Sequence, residues 1–365
     1  MHPGSYGNNM QMNLDFWKGK RVFLTGHTGF KGGWTVLWLQ RLGAIVKGYA
    51  LEPNTIPSLF EIANISDGIE SEFGDIRDLD RLKKSLLDFS PEIVIHMAAQ
   101  PLVRLSYQDP VGTYQTNIMG TVNLFEAVRA CESVKAVVNV TTDKCYENNE
   151  WVWGYRENEA MGGHDPYSSS KGCSELVTSA YRRSYFGGNS NVSLGSARAG
   201  NVIGGGDWSQ DRLIPDALSA FEKNKPVVIR NPLSTRPWQH VLEPISGYLM
   251  LAEKLYSVGK IYAEAWNFGP DDQDVKPVGE IMDYLVAHWP DDVGWNLDGS
   301  QQPHEAQLLK LDISKVEARL KWEPSWRLSI TLQSIIDWHQ SWLNGSDMRS
   351  VTLGQIIKYE DNFRN

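Results

Sequence analysis

The stretch Arg21–Gly33, RVFLTGHTGFKGG, decides the fold. Arg21–Thr25 is a short β-rich run that stops at Gly26, and Phe30–Leu42 then reads as a helix with Trp34, Leu37, Trp38 and Leu42 on one face. Glycines stand at 26, 29 and 32, between the strand and the first turn of the helix. The first permits a tight turn, the second lets backbone approach a pyrophosphate, and the third lets helix pack closely on sheet. The helix start then offers free N–H groups and a positive dipole end to an anion. This position, after the first strand of an alternating series, predicts a dinucleotide-binding turn.

Outward from that turn the alternation continues. Strands are expected at Ala44–Ala50, Glu92–Ala98, Lys135–Thr141 and Val192–Arg198, and helices at Leu79–Phe89, Val111–Cys131 and Pro166–Tyr185. Strands alternating with helices of this length imply βαβ units, hence an α/β fold with a doubly wound parallel sheet of the Rossmann type. After Arg198 the alternation breaks down. Gly204–Gly206 and Pro215, Pro226, Pro232 and Pro237 punctuate the chain, and helical patterns return at Val278–His288, Ile313–Leu320 and Ser329–Leu343. A chain of 365 residues exceeds one ordinary core. The expected division is a dinucleotide-binding domain over residues 15–200 and a smaller, mainly helical substrate lobe over 201–365, partly interleaved with it.

Composition narrows the function. A hydrophobic fraction of 41 % with 22 % charged residues is globular rather than disordered. The formal net charge of −9 repels phosphate backbones, so no nucleic-acid partner is expected. Cys131, Cys145 and Cys173 form no CxxC pair and are odd in number, which fits a reducing compartment and argues against a disulfide framework or a zinc site. Met1–Asn13 is polar, without the apolar core of a signal peptide, and no run of 18 apolar residues occurs. The expectation is a cytoplasmic protein with no membrane contact and no metal.

Chemistry is concentrated in two segments. Tyr167 and Lys171 lie at i and i+4 of one expected helix, on the same face. A nearby ammonium favours phenolate, and a phenolate can take the proton of a hydroxyl while hydride leaves its carbon. The strand Lys135–Thr141 ends in Thr141-Thr142-Asp143-Lys144. Asp143 and Lys144 put an acid and an amine side by side at that strand's end.

With these motifs the chain resembles the extended short-chain dehydrogenases/reductases. The marks are the Gly26/Gly29/Gly32 turn, Tyr167/Lys171, Gly74-Asp75-Ile76-Arg77-Asp78, His96-Met97-Ala98-Ala99, and Asn117 opening an NxxGT segment to Thr121. The resemblance implies NAD as cofactor. It implies contacts from Gly26, Thr28, Gly29, Phe30, Lys31, Gly32, Asp75, Ile76, Ala98, Ala99, Gln100, Asn117, Thr141, Tyr167 and Lys171. Glu52 is a second acid that could meet the ribose, and a carboxylate there favours NAD over NADP.

Within this family, sugar-nucleotide 4,6-dehydratases read Thr-Asp-Glu where this chain has Thr142-Asp143-Lys144, and epimerases lack the acid. The resemblance therefore implies catalysis by Thr142, Asp143, Lys144, Tyr167 and Lys171, with Asp143 as the acid at C6. Lys144 replaces the glutamate that takes the C5 proton. Two roles stand open for it, the C5 base or a residue that fixes Asp143 or a phosphate.

The segments Gly26–Gly32, Thr142–Asn148, Gly204–Trp208, Thr235–Val241 and His304–Ala306 are similar to those of bacterial CDP-glucose 4,6-dehydratases of O-antigen sugar pathways. That likeness implies CDP-glucose as substrate, met by Arg104, Asn201, Arg212, Arg230, Arg236, His240 and Glu305, because the planar arginine fork suits a diphosphate. It also implies a homodimer formed through a four-helix bundle of the helices Val111–Cys131 and Pro166–Tyr185. Another sugar-nucleotide 4,6-dehydratase, or a 4-epimerase of the same family, is the alternative.

Overall fold

The computed structural model describes residues 12–298 and 308–363. Arg21–Thr25 forms β1, buried from Val22 onward. In chain order there follow α1 (Phe30–Arg41), β2 (Ile45–Ala50), β3 (Glu70–Phe73), α2 (Leu79–Phe89) and β4 (Ile93–His96). Next comes α3, a continuous run of Pro110–Tyr114, Gln115–Met119 and Gly120–Arg129. The series closes with β5 (Ala136–Val140), α4 (Pro166–Ser184), β6 (Ser193–Ala199), α5 (Leu213–Phe221), α6 (Leu242–Ser257) and β7 (Ala265–Phe268). The elements expected up to Arg198 all form, with ends within two residues of those read from periodicity.

Caps explain the helix starts. Asp78 accepts the N–H of Arg81 at α2, and Asp165 accepts that of Ser168 at α4, where Pro166 opens the first turn. In α3 the segment Gln115–Met119 is a π-turn, which places Asn117 in the middle of a local widening of the helix.

The seven strands are parallel and ordered β7-β6-β5-β4-β1-β2-β3. The order reverses between β1 and β4, so a crevice opens there at the carboxyl ends of the strands. Register aligns those ends: Thr25 faces Tyr49 and His96, His96 faces Asn139, and Val140 faces Ala197.

Two elements from beyond residue 201 join the first sheet and its core. β7 pairs with β6, and α6 packs its apolar side chains into the core shared by β1, β4, β5 and β6. A second core joins α5, the strand Val227–Ile229, and the helices Val278–His288 and Leu328–Leu343. Among the described residues no helix is long and apolar enough to cross a membrane.

Candidate active site

The loops that leave β1, β4, β5 and β6 at the crevice carry the chemistry. After β1, Gly26 has φ +80°, and a side chain there would meet the Ala98 nitrogen at 2.8 Å. A side chain at Gly32 would lie 2.0 Å from the Gly26 carbonyl oxygen, so the helix can approach the turn only through glycine. Gly29 caps α1 without any side-chain hydrogen bond, which leaves the first N–H groups at Phe30, Lys31 and Gly32 for an anion. The turn therefore fits a pyrophosphate.

The adenosine end is built by the next two strands. Thr28 Oγ1 donates to the Leu51 carbonyl at 2.8 Å, and Glu52 is exposed. Both Asp75 oxygens accept from Arg77, which holds that carboxyl below its usual range. Ile76 packs against Gly120, where a side chain would meet it at 2.7 Å. Asn117, in the π-turn, accepts the Gln100 N–H at 2.8 Å and donates to its carbonyl at 3.0 Å, fixing the half-buried loop Ala98–Gln100.

Tyr167 and Lys171 project from the first two turns of α4. Burial pushes Tyr167 up to about 12, while Thr142 and the Arg212 charge pull it toward phenolate. Lys171 lies one turn further along α4. Its Nζ donates to the Val140 carbonyl at 3.1 Å, and burial pushes it down to about 8 against the pull of Glu175.

Asp143 is buried, and Oδ1 accepts the Thr142 hydroxyl at 2.9 Å. Among the described residues Oδ2 has no hydrogen-bond partner. Burial raises the pKa of this carboxyl, against the nearby charges of Lys144 and Arg236. Lys144 is half-buried on the cleft wall, and its ammonium makes no hydrogen bond or ion pair among the described residues. Thr141 is buried and donates to Glu175, which also accepts from Ser196 and from Arg198 at 2.8 Å. Arg198 holds Glu175 down to about 2.

A cleft of about 430 Å³ runs from these groups between α5 and the strand Val227–Ile229. It collects Lys31, Arg104, Asn201, Arg212, Arg230 and Arg236. The arginines are positioned by acids: Arg212 by Asp207 at 3.0 Å, and Arg104 and Arg230 by Asp211 at 3.2 and 3.1 Å. Burial, with the charges of Arg212 and Lys171, pushes Lys31 down to about 8.

His240 does not join the cleft. It is fully buried, its ring packed between Trp34 and Trp326, and burial pushes it down to about 3, so it stays a neutral core residue. Glu305 lies outside the described residues. Sequence reasoning overlooked Asp211, Asp216 and Gly200. Single acids in a helix start, or a glycine after a strand, carry no periodic or motif signal.

A family model described as GDP-mannose 4,6 dehydratase matches residues 23–335. A CDP-glucose 4,6-dehydratase of Salmonella typhimurium is 59 % identical over 352 residues, which is 95 % of this chain and 98 % of that one. Among solved structures, an epimerase of Methanothermobacter thermautotrophicus superposes with a TM-score of 0.77 at 21 % identity, covering 92 % of this chain and 96 % of that one. A dTDP-glucose 4,6-dehydratase of Bacillus anthracis in complex with NAD gives 0.72 at 21 % identity, covering 91 % and 100 %. These two structures establish likeness of fold.

Proposed function

The chain belongs to the GDP-mannose 4,6-dehydratase family of extended short-chain dehydrogenases/reductases, and from that premise we propose that it converts CDP-D-glucose to CDP-4-dehydro-6-deoxy-D-glucose and water. The observation that carries the reading is the buried Asp143 carboxyl, whose Oδ2 has no hydrogen-bond partner among the described residues, in one cleft with Lys144 and Tyr167, in a chain 59 % identical to a CDP-glucose 4,6-dehydratase.

The Gly26–Gly32 turn and the α1 start would hold the pyrophosphate of NAD, Asp75 and Ile76 its adenosine, and the Ala98–Gln100 loop and Lys171 its nicotinamide end. When bound, it supplies the acceptor for the C4 hydride and the donor of the same hydride to C6.

The chain's own residues move the protons. Tyr167 as phenolate takes the proton of the C4 hydroxyl, helped by Thr142 and Arg212. The resulting C4 ketone acidifies C5–H, and Lys144 takes that proton. Asp143, kept protonated by burial, gives its proton to the departing C6 hydroxyl, which leaves as water. The proton held by Lys144 returns to C5 as hydride reaches C6, and the proton held by Tyr167 resets Asp143 through solvent. Arg212 and Arg236 hold the diphosphate, with Arg104 and Arg230 beyond them. Residues 15–200 serve chiefly the cofactor and 201–365 chiefly the nucleotide sugar, with β7 and α6 returned to the first sheet.

The enzyme works as a cytoplasmic homodimer through a four-helix bundle of α3 and α4. Exposed Val111, Met119 and Leu176 on those helices, with Tyr185 at the end of α4, support it.

Incubation of the protein with NAD and CDP-glucose, followed by mass spectrometry, tests the reaction. The product is expected to be lighter by one water, about 18 Da, as acid-assisted elimination requires. An altered sugar of unchanged mass would indicate epimerisation instead.

A further inference from the structure

Asp216 opens the first turn of α5 and is exposed to the cleft. Among the described residues its carboxyl makes no hydrogen bond or ion pair. This is an unusual lining for a cleft that receives a diphosphate, since a carboxylate only accepts and repels an anion. Arg230 and Arg104 act on it through charge alone, which leaves its hydrogen-bonding capacity to a donor on the ligand.

The charged groups of the cleft fall in an order. Arg212 acts directly on Tyr167 and Lys31, so it stands at the catalytic end. Asp216 follows Arg212 by one helical turn, its N–H donating to the Arg212 carbonyl, on the helix that packs against the strand Val227–Ile229. Besides burial, the charges of Asp211, Arg230 and Arg104 act on it most strongly. Around it the walls are apolar: Leu213 and Ile214 of α5, and the strand Val227–Ile229, whose middle residue Val228 is exposed. A flat base fits there, with the sugar at Tyr167 and the diphosphate between.

We propose that Asp216 determines base specificity by accepting a hydrogen bond from the exocyclic amine of cytosine. Cytosine presents an N–H₂ donor at position 4, whereas uracil and thymine present a carbonyl oxygen there. A carboxylate attracts the first and repels the other two. Burial and the Asp211 charge hold Asp216 up to about 6. At neutral pH it is therefore an ionised carboxylate, short of stabilising partners, that gains from a donor. The inference rests on the nucleotide-sugar reading above and deepens it.

The test compares kcat/KM for CDP-glucose and UDP-glucose in the wild type and in Asp216→Asn, with CMP and UMP binding to the NAD-loaded protein measured by titration calorimetry. The asparagine amide can turn to offer either a donor or an acceptor. In the variant kcat/KM for CDP-glucose is expected to fall on the order of 10- to 100-fold, the value of a hydrogen bond to a charged group. The UDP-glucose value holds or rises, and kcat at saturating CDP-glucose stays within about twofold because only binding has changed. CMP should lose its advantage over UMP by a similar factor, a contrast read without turnover. A CDP-to-UDP ratio that Asp216→Asn leaves unchanged overturns the inference, as does a wild type that does not prefer cytosine. Wild-type turnover of CDP-glucose separately tests the reading on which it rests.

Discussion

The second carboxyl oxygen of Asp143 occupies the place where a side chain on residue 200 would begin: a methyl group at Gly200 would lie 1.8 Å from Asp143 Oδ2. The two residues meet because β5 and β6 are parallel neighbours, with Val140 opposite Ala197, and each strand hands its next loop to the same crevice. Gly200 has no positive φ, so what it provides is space.

Gly200→Ala should therefore disable the acid while leaving the oxidation half of the cycle. Displacing a catalytic group by about 1 Å costs on the order of 100-fold in rate. Dehydration should slow by that factor or more, and the absorbance of reduced cofactor should build up on mixing with CDP-glucose. A variant that turns over normally, or one in which oxidation and elimination fail together, would remove Asp143 from the assigned role.

Lys171 should set an alkaline limit on activity. Its ammonium carries charge below about 8 and loses it as pH rises through that value, so kcat should decline above pH 8. Lys31, also pushed down to about 8, shares the range. Lys171→Arg keeps the charge at every accessible pH. The residual rate of this variant should hold further into alkali than that of the wild type, and Lys31→Met assigns any remaining decline. A wild-type profile flat from pH 7 to 10 would contradict the assignment (range set by the ordinary lysine value).

Glu175 and Arg198 form a fully buried pair at 2.8 Å behind the active site. Glu175→Gln leaves the guanidinium buried without its counter-charge, which should cost about 3–5 kcal/mol in urea unfolding. The sign of the pH dependence follows from the depressed carboxyl. The folded value is about 2 against the ordinary glutamate value of 4.5, so the stabilisation is present above about 4.5 and is lost as pH falls through 2. Glu175→Gln should flatten that acid loss. An equal acid sensitivity in both proteins would show that other carboxylates control it.

Leu176 on α4 is 59 % exposed and Val111 at the start of α3 is 65 % exposed. If α3 and α4 pair across a two-fold axis, Leu176→Glu places a charge in that interface. Sedimentation velocity should find a dimer for the wild type at micromolar concentration and a shift to monomer for the variant. A monomeric wild type would exclude the four-helix bundle.

Much of the Rossmann half was legible because its signals are local. The glycines of Gly26–Gly32 adjoin the strand they end and the helix they begin, and Tyr167 and Lys171 are one helical turn apart. The sequence alone also set Asp143 beside Thr142 at the end of β5.

The rest depended on segments distant in the chain. α6 escaped periodicity because every residue from Leu242 to Glu253 is buried, and a helix covered on all sides has no polar stripe to mark its turns. β7 is four residues long, too short to reveal a period, and only its pairing with β6 makes it the seventh strand. His240 sits four residues after Arg236 in the run Thr235–Val241 and reads as polar, yet packing between Trp34 and Trp326 makes it core. The seat that Gly200 leaves for Asp143 and the place of Asp216 on the cleft wall have the same origin. Sequence spacing reports what lies on one face of one element, whereas the space beside a carboxyl and the charges that reach it are set by whichever strands and helices the fold brings alongside.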